Sequence, residues 1–352
     1  MNIDEIISKI LPGDEKAMKE AYDRWMAIGK PLFSLGKLET VVTKIAGIKG
    51  TSDYKLQKKG LLIMCADNGV VEEGVTQTGQ EVTAIVADNF THHATSVCAM
   101  CDVAGVDVLP IDIGMAVDVP SVTKKEQKVC YGTRNFAKEP AMTKEEVCQA
   151  LSVGIEAVRK CKEEGYDLLA TGEMGIGNTT TSSAVASVLL GKDVEIMTGR
   201  GAGLSAEGLH RKIKVIEDAI KLHQPDPEDA MDVLSKVGGL DIAGLTGVFL
   251  GGAIYHIPII IDGFISSVAA LCAVRMNPNT ADYMLASHVS KEPAGKLVLD
   301  ALGLSPMLTC DMCLGEGSGA VAAIPIIEMG LSVYRQMGTF EDIQVERYQV
   351  LK

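Results

Sequence analysis

The sequence lacks an excess of positive charge: 33 Lys and Arg stand against 46 Asp and Glu, a net charge of −13, with no local basic patch to offset it. A polyanion would meet a repulsive field, which excludes nucleic acid as the partner. A secretory leader is also missing. The opening residues, MNIDEIISKILPGDEKAMKE, carry acids where a leader has basic residues, and neither an apolar core nor an A-x-A site follows. A cytoplasmic protein is expected. Nine cysteines in 352 residues without a leader fit reduced thiols and not a disulfide framework. The longest stretch free of ionised residues, 242–261, could span a bilayer by length. Four glycines, Thr246, His256 and Pro258 interrupt it and Asp262 follows, so a buried helix, turn and strand are expected, and no membrane. Repeats, low-complexity tracts and clear linkers are absent.

What is present is an ordinary globular composition, 47% hydrophobic and 22% charged, with 36 glycines that signal tight turns and backbone-lined sites. Asp14–Ile28 is patterned as an amphipathic helix, with Asp14 as N-cap and Met18, Ala21, Tyr22 and Trp25 along one stripe. From about residue 60, short apolar runs alternate with helical segments, as in a parallel sheet covered by helices. The runs are 61–66, 106–112, 167–172 and 257–262; helices are expected over 80–101, 143–164, 179–190, 207–223 and 317–337, and a loop with short strands over 113–142. Three runs end in acid and glycine, at Asp67-Asn68-Gly69, Gly172-Glu173 and Asp262-Gly263, which should share one cleft at the carboxyl ends of the strands. The expected fold is α/β: a doubly wound, mostly parallel, Rossmann-like sheet (51–329) with a small helical domain made from both chain ends (1–50 and 330–352).

The densest candidate site is 171–180, TGEMGIGNTT, a glycine-rich turn between strand and helix, where backbone N–H groups and the helix dipole favour phosphate. Gly172-x-x-x-x-Gly177-Asn178-Thr179 is a P-loop pattern with asparagine in place of lysine. Without that charge the loop suits a monophosphate or sugar better than a triphosphate. A second cluster, Gly199–Gly203, offers more backbone donors, with Lys212 shortly beyond. A third, 314–319, sets Glu316 between glycines ahead of a long apolar helix. If Glu173 and Glu316 converge, the pair can accept a proton and stabilise positive charge on a sugar ring. Cys98-x-x-Cys101 and Cys310-x-x-Cys313 have half-zinc-site spacing but lack the usual knuckles, so free thiols are expected and no metal. His92, His93 and His288 carry no assigned role.

Together these segments resemble a family, the nicotinate-nucleotide:5,6-dimethylbenzimidazole phosphoribosyltransferases of cobalamin lower-ligand assembly. The similar stretches are Pro31 with Ser34–Glu39, then 65–90, GEMGIGNTTT (172–181), GRGAGL (199–204), 232–253, 257–273, SHVSKEPAG (287–295) and LGEGSGA (314–320). The resemblance implies transfer of 5-phosphoribosyl from nicotinate mononucleotide to an aromatic base, with inversion, and without a cofactor. It implies Glu316 as general base and Glu173 near the ribose. Gly175, Gly177, Asn178, Thr179, Gly201, Lys212, Ser290 and Gly315 correspond to positions around the phosphoribosyl group, and Thr78, Gln80 and Leu314 to the base pocket. It also implies a homodimer, or a heterodimer with a paralogue, in which one subunit's small domain borders the other's site.

The chain departs from the family pattern at Leu32-Phe33, at Asn68 where histidine is usual, and at Thr76-Gln-Thr-Gly79. These departures open the acceptor to other bases, including phenol or p-cresol. Two alternatives remain: a degenerate P-loop NTPase with Asp262 as its magnesium ligand, and a catalytically weak paralogue that supports a partner.

Overall fold

The apolar runs build a five-stranded parallel sheet in the order β2-β1-β3-β4-β5, in a computed structural model that describes residues 3–350. The strands are β1 Lys59–Ala66, β2 Asp107–Gly114, β3 Leu168–Met174, β4 Ile259–Ile261 and β5 Met284–Ala286. Side chains alternate across each strand. Leu62, Met64 and Leu169 enter one apolar cluster, while Leu61, Ile63, Leu168 and Ala170 enter a second on the opposite face. Both faces are covered, which is why the strands are continuous apolar runs.

Helices α1 Ile3–Ile7, α2 Glu15–Ala27 and α3 Lys37–Lys49 precede the sheet. Between β1 and β3 lie α4 Glu81–Thr91, α5 Ser96–Ala104 and α6 Lys144–Glu163; between β3 and β4 lie α7 Asn178–Leu190, α8 Val194–Met197, α9 Ala206–His223, α10 Ala230–Val237 and α11 Leu240–Tyr255. After β4 come α12 Phe264–Met276, α13 Gly295–Ala301 and α14 Ser318–Gln336. Local chemistry explains several boundaries. Asp14 accepts from the Ala17 amide at the start of α2, and Thr143 and Glu146 close a capping box on α6. The ion-free stretch 242–261 is mostly α11 and β4, joined through His256 at φ +54. Glycines on both helices let α11 lie against α6: a Cβ on Gly247 would meet the Leu151 carbonyl, and one on Gly154 the Gly244 carbonyl.

The chain ends pack together. Trp25 of α2 meets Tyr334 of α14 with ring centroids 5.2 Å apart, and Phe340 donates its amide to the Ala27 carbonyl at 3.0 Å. Their apolar cluster runs on through Val42 to Leu61 and Ile63 of β1. Residues 1–2 and 351–352, part of the expected terminal domain, lie outside the described residues.

Three expectations need correction. The helix expected over 80–101 is two helices, because the chain turns through His93 at φ +53 and restarts at Thr95, whose hydroxyl accepts from the Cys98 amide. No strand forms within 115–142; Lys128, paired with Asp112 at 3.1 Å and Asp118 at 2.8 Å, ties that loop to the end of β2. β5, only three residues long, is an additional edge strand beside β4.

Candidate active site

The carboxyl ends of β3 and β4 open into a cleft of about 320 Å³, bounded by α4, the start of α7 and the 313–316 loop. Glu173, at the end of β3, is 7% exposed, and its Oε2 accepts from the Asn178 side-chain amide. The 315–317 segment lies over it: a Cβ on Gly315 would stand 2.6 Å from Glu173 Oε1. Three successive residues there, Gly315, Glu316 and Gly317, have φ of +86, +61 and +96. A non-glycine residue in this region carries strain of about 1–2 kcal/mol, and the coil turns the Glu316 side chain into the same cleft. Its Oε2 is buried without a hydrogen-bond partner.

The opposite end holds a buried cation. Lys212 of α9 is fully buried and donates to Thr179 Oγ1 at 2.8 Å and to the Gly199 carbonyl at 3.2 Å. Gly201, at φ +52, closes the cradle. A Cβ there would lie 2.8 Å from Thr179 Oγ1 and 3.6 Å from Lys212 Nζ. Ser290 and Glu292 line the cleft beside it, with Glu292 Oε2 buried and unpartnered. Burial pulls the Lys212 ammonium down to about 8, against the attraction of Glu292.

The acids have the opposite bias. Burial pushes Glu173 well above the usual carboxylate range, with repulsion from Asp241 and Asp262 adding to it and the Asn178 hydrogen bond opposing it. Burial raises Glu316 as well, and lifts Asp241 and Asp262 to about 6. Between the acids and the anion cradle, the cleft favours a molecule with positive charge at one end and negative charge at the other.

A family model described as "Phosphoribosyltransferase" matches residues 10–345. A nicotinate-nucleotide–dimethylbenzimidazole phosphoribosyltransferase from Ruminiclostridium cellulolyticum is 47% identical over all of both chains, and one from Acetivibrio thermocellus is 50% identical over 92% of each. The crystal structure of CobT from Thermus thermophilus superposes with a TM-score of 0.88, at 37% identity over 95% of this chain and 100% of that one. The chain belongs to this phosphoribosyltransferase family. The parallel α/β fold expected from the alternating apolar runs and helices is the fold observed.

Within the transferase, Glu173, Glu316, Gly175, Asn178, Thr179, Gly201, Ser290, Leu314 and Gly315 line one cleft. Lys212 stands behind Thr179. Gly177 and Thr78 line a smaller cavity of about 90 Å³ adjoining it, on the cradle side. Gln80 faces neither space; its amide donates to the Asn68 carbonyl at 3.0 Å, and Val82 and Val86 of α4 supply the cleft wall instead. Those two valines lie in the 75–90 segment that the resemblance implies for the base pocket, although neither was singled out; Met174, Ile176 and His288 were not foreseen. The signal for the valines was the one-turn spacing of two small apolar residues just after the TQTGQ turn.

Asp67 does not share the cleft, because its Oδ2 accepts the Ala116 amide at 2.8 Å on the β2 side. Asn68 lies beneath the Gly175–Gly177 turn and donates to the Ile176 carbonyl at 3.3 Å, so this departure shapes the loop rather than the acceptor wall. Phe33, 49% exposed, sits on a separate groove beside Trp25. The P-loop alternative fails on chemistry. Asn178 is spent on Glu173, and both Asp262 oxygens accept backbone amides, leaving no ligand set for a nucleotide-bound magnesium. No disulfide joins any of the nine cysteines; Cys98 and Cys101 are buried on α5, whereas Cys310 and Cys313 are exposed.

Proposed function

We propose that this transferase moves the 5-phosphoribosyl group of nicotinate mononucleotide onto an aromatic base, giving an α-ribotide for a cobamide lower ligand and free nicotinate. The observation that carries this reading is the convergence of Glu173 and Glu316 in one cleft whose far end is the Lys212–Thr179 cradle. The monophosphate binds the cradle and the α7 N-terminus. The pyridinium of the mononucleotide then brings positive charge to the acid-rich end, lowering the cost of ionised Glu173 beside the ribose. Nicotinate departs as a neutral ring, so no acid has to protonate it. Glu316, with an unpartnered carboxylate oxygen, removes the acceptor's proton as the acceptor attacks the anomeric carbon from the opposite face. Pyridinium loss and carboxylate help balance charge without a metal step.

The acceptor in this reading is an apolar aromatic base with one hydrogen-bonding edge: 5,6-dimethylbenzimidazole, a related azole or a phenol. Val82, Val86, Met174, Ile176 and Leu314 offer contact area but no second side-chain partner, so a purine's extra ring nitrogens and amino group would lose water without replacement. The terminal helices form the small domain of a cytoplasmic dimer, either of like chains or with a paralogue. Mass detection of the ribotide tests the reading, with nicotinate mononucleotide and a panel of dimethylbenzimidazole, p-cresol and adenine, first with the protein alone and then with a paralogue. Ribotide from the first two in excess of adenine is expected; no ribotide from any base would overturn it.

A further inference from the structure

Helix α14 begins at Gly317 with φ +96 and no side-chain cap of its own, although the residue before it is the proposed base. The orphan amides of such a helix start require acceptors. They find one far away in the chain, at the end of β4. Asp262 Oδ1 accepts from Gly319 at 2.7 Å and Ala320 at 3.0 Å, and Oδ2 accepts from Gly317 at 3.2 Å.

Asp262 is itself held from three elements. Its amide donates to Thr171 Oγ1 of β3 at 3.3 Å and Ser266 Oγ of α12 at 3.2 Å, and its carbonyl accepts from the Ser287 hydroxyl at 3.1 Å. On the other side, the coil rests on β3: a Cβ on Gly172 would approach the Glu316 carbonyl to 2.4 Å. The left-handed Glu316 backbone is therefore clamped between a strand and a carboxylate. The three amide bonds to a carboxylate oppose the local strain.

We infer that Asp262 is a positioning residue for the transfer reaction: it caps α14 in trans and thereby fixes the direction in which Glu316 presents its carboxylate. Asp262 lines the cleft, but with both oxygens engaged by backbone amides it is not a second base. The inference rests on Glu316 being the base.

Asp262→Asn tests it. The new amide group keeps one acceptor oxygen but turns a donor toward one side of the clamp, the Gly317 amide beside Glu316 when the oxygen stays on Gly319 and Ala320. Turnover is expected to fall about 10- to 100-fold with KM for nicotinate mononucleotide within about threefold, because the loss falls on a transition-state contact. In a Glu316→Gln background the same change is expected to cost less than about threefold, since a direction no longer matters once the base is gone. Ser266→Ala, which removes one of the bonds holding Asp262, gives a milder version: a loss of about threefold, again vanishing in the Glu316→Gln background. If Asp262→Asn does not fold, that second pair decides. Losses that multiply in the double variants, or a folded Asp262→Asn enzyme within threefold of the parent, overturn the inference. Failure of the base assignment is separable, because it shows as near-normal turnover in Glu316→Gln alone.

Discussion

In the proposed function Lys212 is the cation that serves the phosphate, and burial places its titration where it makes substrate capture pH-dependent on the alkaline side. Two of its three N–H groups are committed, to Thr179 Oγ1 and the Gly199 carbonyl, which leaves one uncommitted that the proposed binding mode gives to the phosphate. Burial lowers the free-enzyme ammonium to about 8. A group titrating there is about nine-tenths protonated at pH 7 and about one-tenth at pH 9, so kcat/KM for nicotinate mononucleotide should fall roughly tenfold between those values. The value of kcat should hold, because bound phosphate keeps the ammonium protonated and kcat reports the complex. The phosphate itself titrates near 6 and does not interfere. Lys212→Met removes a charge-assisted hydrogen bond of about 1.5–3 kcal/mol, a loss of about 10- to 100-fold in kcat/KM at pH 7, and its profile should lose the basic limb. Initial rates across pH 6.5–9.5 at limiting mononucleotide and saturating acceptor measure both. A flat parent profile, or the same limb in Lys212→Met, would refute the assignment of this lysine to the phosphate.

Two further outcomes follow from the acids. Glu316→Gln should cost about 10²–10⁴ in kcat with little change in KM for the mononucleotide, and should abolish the acid limb of the kcat profile. In the parent that limb lies above the ordinary glutamate range, because burial raises the group and activity is lost as pH falls through it; an unchanged limb in the variant would assign it elsewhere. Asp241, lifted to about 6 by burial, favours folding most below its unfolded value near 4 and loses that contribution as pH rises through 6. Asp241→Asn keeps an acceptor for the Ile242 amide, bonded at 2.9 Å. It should stabilise the protein at pH 8 relative to pH 4.5 by about 2 kcal/mol in denaturant titrations; equal effects at the two pH values would contradict the linkage.

What the sequence by itself determined is what neighbours along the chain decide. The Asp14 cap, the Thr143–Glu146 box, the strands at 61–66 and 167–172 and the glycine turn before α7 depend on spacing within a few residues, and all of them formed. The break between α4 and α5 was also locally encoded, in Thr95 as a cap, but apolar periodicity on both sides masked it. Motif order was enough to identify the family.

Tertiary structure alone decided which polar groups meet. Nothing near Lys212 in the chain shows that its ammonium bonds to Thr179, and nothing near Asp262 shows that its carboxylate caps a helix beginning at residue 318. The short edge strand β5 exists only because β4 offers it a ladder. A buried carboxylate takes whichever donors the packed strands and helices bring to it, and those donors come from segments whose separation in sequence carries no periodic signal.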